Sequence, residues 1–264
     1  MRVHSGRMSI DLSILREPRT GAELYREGDA LVSVASGQRH PIVDGIPTFL
    51  DPRALGAQNA RFRRMYDRIA RGYDLVENVY FWLKRLDRRA IRAGYLDALV
   101  IPEGGRVLEV SIGTGINLQW LPSSARVSGL DLSMNMLRRA ARAAARQGRD
   151  VTLVHGQAEA LPFATAAFDC VFHFGGINFF DDRAGAIREM VRVARPGTVV
   201  VVSDETEKHV RETYEREPGT GRYFTDRREP VRAPLDLLPE GLNDVRYQEF
   251  WEGRMYAIRF RTPG

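Results

Sequence analysis

Two acidic residues sit in apolar surroundings where a carboxylate costs free energy unless it has work to do. Glu109 lies inside the run Val107-Leu108-Glu109-Val110, and Asp131 closes the run Val127-Ser128-Gly129-Leu130, about 22 positions later. Between them the chain reads Ser111-Ile112-Gly113-Thr114-Gly115-Ile116. Glycine has no Cβ and tolerates positive φ, so such a turn lets a ligand approach the backbone closely. A carboxylate at a strand tip is purely an acceptor with several lone pairs, which suits a vicinal diol such as ribose. Glycine turn first and carboxylate second is the layout of a nucleoside-binding half-sheet. Other groups bear on proton transfer. His173 ends the apolar run Ala167-Phe168-Asp169-Cys170-Val171-Phe172, as either a base or acceptor ligand, or a packed histidine. Asp204 and Glu205 follow Thr198-Val199-Val200-Val201-Val202-Ser203, as acceptor-side groups or caps of the next helix. Cys170, inside an apolar run, reads as inert core.

These residues need strands that end together. The apolar runs near 107, 127, 151, 168 and 198 are short, alternate with helical segments, and predict buried parallel strands of an α/β sheet. Gly113-Thr114-Gly115 is the turn expected to feed a helix. Residues 244–250 and 254–260 alternate around Trp251-Glu252-Gly253, a hairpin pattern. Residues 1–52 form a small β-rich unit, with a strand and turn over Leu12 to Gly21 and short strands over Ala30 to Val34 and Arg39 to Leu50. Residues 53–98 are helical, with Phe62, Met65, Tyr66, Ile69, Leu75, Val79, Phe81, Trp82, Leu83 and Leu86 on the apolar side, and 99–264 are the core domain.

Bulk composition narrows the class. The 264 residues are 44% hydrophobic, enough for a sizeable core, and carry a formal net charge of +5 with acids nearly as numerous as bases. That balance permits an anionic partner without requiring one. No apolar run is long enough to span a bilayer, and the N-terminal stretch lacks a signal-peptide core. The one cysteine excludes an internal disulfide and a cysteine-cluster zinc site, so a cytoplasmic location is expected.

The ordered series continues with Gly156-Gln157-Ala158-Glu159-Ala160-Leu161-Pro162-Phe163, then His173-Phe174-Gly175-Gly176, then Arg188-Glu189-Met190-Val191-Arg192-Val193-Ala194-Arg195-Pro196-Gly197. From about residue 60 to 264 it resembles class I S-adenosylmethionine-dependent methyltransferases, especially the ubiquinone/menaquinone C-methyltransferase type. The resemblance implies a Rossmann-like, seven-stranded, mostly parallel sheet with helices on both faces. A dehydrogenase fits less well, because Leu118 stands where the third glycine of G-x-G-x-x-G would be. Tyr66-Asp67-Arg68-Ile69-Ala70-Arg71-Gly72-Tyr73-Asp74 is similar to the Y-D-x-x-A-x-x-Y-D segment of that family. It implies a helical cover in which Tyr73 either lines the pocket or packs in the core. By the same resemblance S-adenosylmethionine is the cofactor. Glu109 then supports the turn and the amino-acid end, or merely ties down loop amides. Gly113, Thr114 and Gly115 approach with backbone, and Asp131 takes the ribose or is an ordinary cap of the helix before Met134. Leu132 and Met134 contact adenine, Gln157 accepts from its amino group, and Ala158 offers backbone. Ser111 replaces the first glycine of the family turn and presents a hydroxyl to the cofactor carboxylate. Phe174, Asn178, Phe179 and Phe180 shape the acceptor pocket, and 207–241 is an acceptor-covering insertion.

The N-terminal unit resembles the zinc-ribbon-like domain of tRNA-methyltransferase activators, but no cysteine pair stands near Glu17 to Thr20. It reads as a metal-free module, for packing or for a partner or substrate surface. The leading function is methyl transfer to a small-molecule or lipid-like acceptor, with at most peripheral membrane contact. RNA methylation is an alternative, disfavoured because no Asn-Pro-Pro-Tyr-like sequence follows the fourth strand and the arginines are dispersed. A non-catalytic cofactor-binding regulator is the third reading.

Overall fold

A computed structural model gives the fold and describes residues 9–83, 85, 87–216, 221–225 and 230–264, with backbone alone for 71–83 and 222. The N-terminal unit is an antiparallel sheet of β1 (Leu24–Glu27), β2 (Ala30–Ser33), β3 (Arg39–Val43) and β4 (Ile46–Pro47), in that order. Two helices follow, α1 (Ala57–Leu83) and α2 (Arg88–Leu96). The main sheet contains β5 (Arg106–Val110), β6 (Arg126–Asp131), β7 (Val151–His155), β8 (Cys170–Phe174), β9 (Val199–Glu205), β10 (Asn243–Phe250) and β11 (Met255–Arg261). Its order is β10-β11-β9-β8-β5-β6-β7, antiparallel only where β11 meets β9 and β10. The remaining helices are α3 (Met134–Arg146), α4 (Arg183–Val193), α5 (Glu207–Glu212) and the one-turn α6 (Arg222–Thr225).

Strand alternation divides the core into two layers. Leu108, Val110, Leu130, Val154, Val171, Val200, Val202, Ile258 and Phe260 face α4, through Ala186, Ile187, Met190 and Val193. Val107, Val127, Cys170, Phe172, Val199, Val201 and Ala257 face α2 and α3, through Tyr95, Leu96, Leu137, Ala140 and Ala144. Every residue of β7 and β9 is buried, as a sheet covered on both faces requires. The chain runs β5 to β6 to β7 in one direction and returns to β8 on the other side of β5. The carboxyl ends of β5 and β8 therefore flank the reversal of strand order, where open α/β sheets form a crevice.

The small sheet does not stand apart from this core. Ile14, Leu15, Leu24 and Leu31 complete the α4-side layer, and Phe49 N donates to His155 O at 2.9 Å. The strand expected over Leu12 to Gly21 is instead a series of turns with one bridge, Leu15 to Phe163. Pro18 and Pro162 remove N–H donors on both sides of that bridge. Glu17 is buried and accepts the Thr20 hydroxyl. Among the described residues no group of His, Cys, Asp or Glu side chains could hold a metal ion.

The Gly113 to Gly115 turn leads not into an α-helix but into a 3₁₀ turn, Ile116–Trp120. Leu121 precedes Pro122 and is extended, with ψ 146°, because the residue before proline is excluded from the helical region. The helical stretch before β5 is broken at Asp87, whose carboxylate caps α2 by accepting from Arg89 N and Ala90 N.

Candidate functional site

A cleft opens at the carboxyl ends of β5, β6, β8 and β9. Glu109, Ser111, Gly113, Thr114, Asp131, Leu132, Phe174 and Phe179 all line it. Glu109 is 1% exposed. Its Oε1 accepts from Asn117 Nδ2 at 2.6 Å, and Asn117 Oδ1 accepts the Tyr95 hydroxyl at 2.7 Å. Its Oε2 is buried without any hydrogen-bond partner. Burial pushes this carboxyl up to about 8, against the Asn117 hydrogen bond and the Arg92 charge. Arg92 lies in the same wall, its guanidinium 5.5 Å from the ring centroids of both Trp120 and Phe174. Tyr95 stacks on Phe174 at 4.3 Å, which fixes the far side of that ring.

Asp131 reaches back to the turn. Its Oδ2 accepts from Gly113 N and its Oδ1 from Ser133 N, each at 2.8 Å, and burial pushes it up to about 6 against these bonds. Ser133 also caps α3, and its hydroxyl donates to Asp67 of α1 at 2.6 Å, so α1 is tied to the same strand tip. Gly113 has φ +56°, and a Cβ there would meet nothing within 4 Å, so its open side faces the cleft. Gly115 has φ +75° and a Cβ would come within 3.1 Å of Ala140 Cα, so this glycine serves the packing of α3. Ser111 adopts φ +63°, the left-handed conformation in which glycine is favoured.

Several of the other sequence-picked residues fall elsewhere. His173 is fully buried. Its Nε2 accepts from Ile177 N at 3.1 Å, so Nδ1 carries the proton and donates to Val110 O at 3.0 Å. Burial pushes it down to about 4, and with both nitrogens used this is the packed histidine that holds the β8 loop against β5. Asn178 turns away from the cleft wall, donating to Glu205 O at 2.8 Å and accepting from the Tyr256 hydroxyl at 3.1 Å. Met134 is half-buried on the α3 side of the core, and Met136 takes the place in the cleft wall. Gln157 and Ala158 lie just past β7, outside the cleft lining, and the Tyr73 side chain lies outside the described residues.

The opposite wall is aromatic. Phe62 of α1 stacks on Phe179 at 4.7 Å, and Phe224 of α6 meets both edge-on at 5.7 and 5.2 Å. Glu205 lines the cleft beside them and accepts the Tyr214 hydroxyl at 2.6 Å. Its neighbour Asp204 faces the β8 loop and accepts from Gly176 N at 3.0 Å and Asn178 N at 2.8 Å. Burial and the Glu205 charge push Asp204 well above its ordinary value, against the bonds from these two amides. Sequence reasoning missed Arg92 and Asn117 and took in Tyr214 and Phe224 only as part of the acceptor-covering insertion. Only Asn117, at the glycine turn, had a local signal that could have found it.

Residues 108–202 match the family model of a methyltransferase domain. The demethylmenaquinone methyltransferase of Mycolicibacterium vanbaalenii is 38% identical over 148 residues, 53% of this chain and 58% of the relative. The chain thus spans little more than half the length of that curated relative. Among solved structures, a SAM-dependent methyltransferase from Thermotoga maritima superposes with TM-score 0.56 at 21% identity, over 74% of this chain and 98% of that one. The [4+2]-cyclase SpnF superposes with TM-score 0.51 at 19% identity, over 81% and 85%. The architecture is that of the class I S-adenosylmethionine-dependent methyltransferases. A cyclase on the same architecture shows that the reaction must be argued from the cleft.

Proposed function

We propose that this chain transfers a methyl group from S-adenosylmethionine to a small, apolar, aromatic acceptor of the quinol kind. The observation that carries the reading is the unpartnered, buried Oε2 of Glu109 in the cleft wall. A buried carboxylate oxygen without a donor is costly, and an ammonium group offers the charged donor that removes the cost. Arg92, on the same wall, suits the carboxylate of the same amino-acid moiety. Asp131 keeps lone pairs for a ribose diol, and Ser111 adds a hydroxyl beside Gly113. Leu132 and Met136 supply apolar wall for an adenine. The residues present fit the cofactor, which when bound supplies a methyl carbon already activated on a sulfonium.

In-line displacement at such a carbon needs alignment and exclusion of water more than a covalent nucleophile. Phe62, Phe179 and Phe224 provide a dry, planar seat for an acceptor ring, and α1 covers it. The name of the Mycolicibacterium relative, with its quinone acceptor, agrees with that seat. The acceptor is small or lipid-like; among the described residues no helix is long and apolar enough to cross a membrane. The N-terminal sheet serves as a packing module, since it completes the α4-side core. The test is transfer from methyl-labelled S-adenosylmethionine into fractionated cell extract. Label in the lipid-extractable aromatic fraction supports the reading. Label confined to nucleic acid would overturn the acceptor class.

A further inference from the structure

Glu205 closes β9 with its side chain in the cleft, 8% exposed, while strand alternation turns the adjacent Asp204 under the β8 loop. Two neighbouring carboxyls thus have different tasks. Asp204 holds the loop amides and hydrogen-bonds the Glu205 carboxyl, and Glu205 Oε1 also accepts the Tyr214 hydroxyl at 2.6 Å. Capping of α5 does not account for it. The N-cap position there is Thr206, and among the described residues no α5 amide donates to Glu205. The Tyr214 ring lies 4.8 Å from that of Phe224, so the residue that orients the carboxylate belongs to the aromatic seat itself. A carboxylate placed at the rim of an apolar ring-shaped seat marks where an acceptor's polar atom comes to rest.

We infer that Glu205 is the catalytic proton acceptor for an aromatic alcohol, a phenol or hydroquinone ring seated among Phe62, Phe179 and Phe224, with Tyr214 as its positioning residue. The inference rests on the methyl-transfer reading and specifies its acceptor. The acceptor gives its hydroxyl proton to Glu205 Oε2 as its oxygen, or the ring carbon conjugated with it, bonds to the methyl carbon. The S–C electron pair stays on sulfur, which becomes a neutral thioether. After attack by oxygen, Glu205 releases the proton to water. After attack by carbon, Glu205 returns it to the oxygen while the ring carbon loses its own hydrogen as a proton. One proton leaves per methyl in either case. The receiving group need not be strongly basic, because the hydroxyl becomes acidic as positive charge develops on the ring.

The test compares wild type with Glu205→Gln on two probes. One is 1,4-dihydroxynaphthalene kept reduced under argon, and the other a nitro-substituted naphthol already ionised at the assay pH. Wild type should methylate both. On the first probe the variant should lose about 100-fold or more in kcat. Its KM, and its S-adenosylmethionine affinity by calorimetry, should stay within about threefold. On the ionised probe the loss should shrink to less than about tenfold, because no hydroxyl proton remains to be taken. Tyr214→Phe keeps the ring and serves if Glu205→Gln melts early. Around Glu205 the titratable groups are Asp204, His173 on β8, His209 on α5, Tyr214, and Tyr256 on β11. Of these, the Asp204 hydrogen bond, the His209 charge and then the Tyr214 hydrogen bond draw Glu205 down, so Tyr214→Phe should move the acid limb of kcat to higher pH. Equal losses on both probes, or an unmoved acid limb in Tyr214→Phe, would overturn the role of Glu205. Wild type that binds S-adenosylmethionine yet methylates neither probe would refute the aromatic alcohol alone. Wild type that does not bind it would sink the methyl-transfer reading as well.

Discussion

Replacing Glu109 by Gln should stabilise the protein, and increasingly so as the pH rises. In the folded chain burial holds this carboxyl near 8, against a value of 4.5 in the open chain. Between these values the folded state keeps a proton that the unfolded state has released. The group's favourable contribution is therefore complete below 4.5 and declines as pH rises toward 8. Each pH unit in that interval is worth about 1.4 kcal/mol. From pH 5.5 to 8.0 wild type should lose about 3 kcal/mol through Glu109 alone. Glutamine keeps the oxygen that accepts from Asn117 and does not titrate, so the variant escapes this decline. Asp131, also pushed upward by burial, is present in both proteins and cancels in the difference. Urea unfolding of both proteins at the two pH values, at equal ionic strength, reads the gap directly. The variant should gain about 3 kcal/mol on wild type between pH 5.5 and 8.0 while binding S-adenosylmethionine more weakly. A gap that does not change with pH, or closes as pH rises, would refute the claim that a desolvated carboxyl is held in reserve for a cation.

Two further substitutions probe the scaffold of the cleft. Ser111→Gly relieves a left-handed conformation, φ +63°, and should raise the unfolding free energy by about 0.5–1 kcal/mol, read as a higher urea midpoint with an unchanged slope. A loss of stability would mean that the serine side chain holds the turn. Asp181→Ala removes the carboxylate that accepts from Gln58 N and Asn59 N, each at 3.0 Å. It should cost about 1–2 kcal/mol and expose the start of α1 to limited proteolysis, whereas an unchanged cleavage pattern would show that the helix needs no such cap.

The parts of the molecule that the sequence disclosed are those whose signal is local. The apolar run, glycine turn and strand-tip acid placed Glu109, Gly113 and Asp131 on one cleft wall. The alternation over 244–250 and 254–260 foretold β10 and β11 to within about a residue at each end. What stayed hidden depends on partners far away in the chain. Asp181 caps a helix more than 120 residues before it. Arg92 looks like one more surface arginine until Trp120 and Phe174 are seen around it. His173 looked available because a side chain at a strand end can face ligand or loop. Backbone groups of Val110 and Ile177 decided for the loop. Glu205 differs from Asp204 only in which face of β9 it occupies, and that parity becomes visible once the register against β8 and β11 is known.

The account stands on a nucleoside-bearing cation lodging between the tips of β5 and β6. A calorimetric titration of S-adenosylmethionine into wild type and Asp131→Ala at pH 7.5 addresses this most directly. Saturable binding to wild type, weakened about 10- to 100-fold in the variant, is predicted from the loss of charged hydrogen bonds worth about 1.5–3 kcal/mol. Equal affinity in the two proteins, or no binding to wild type, would contradict it.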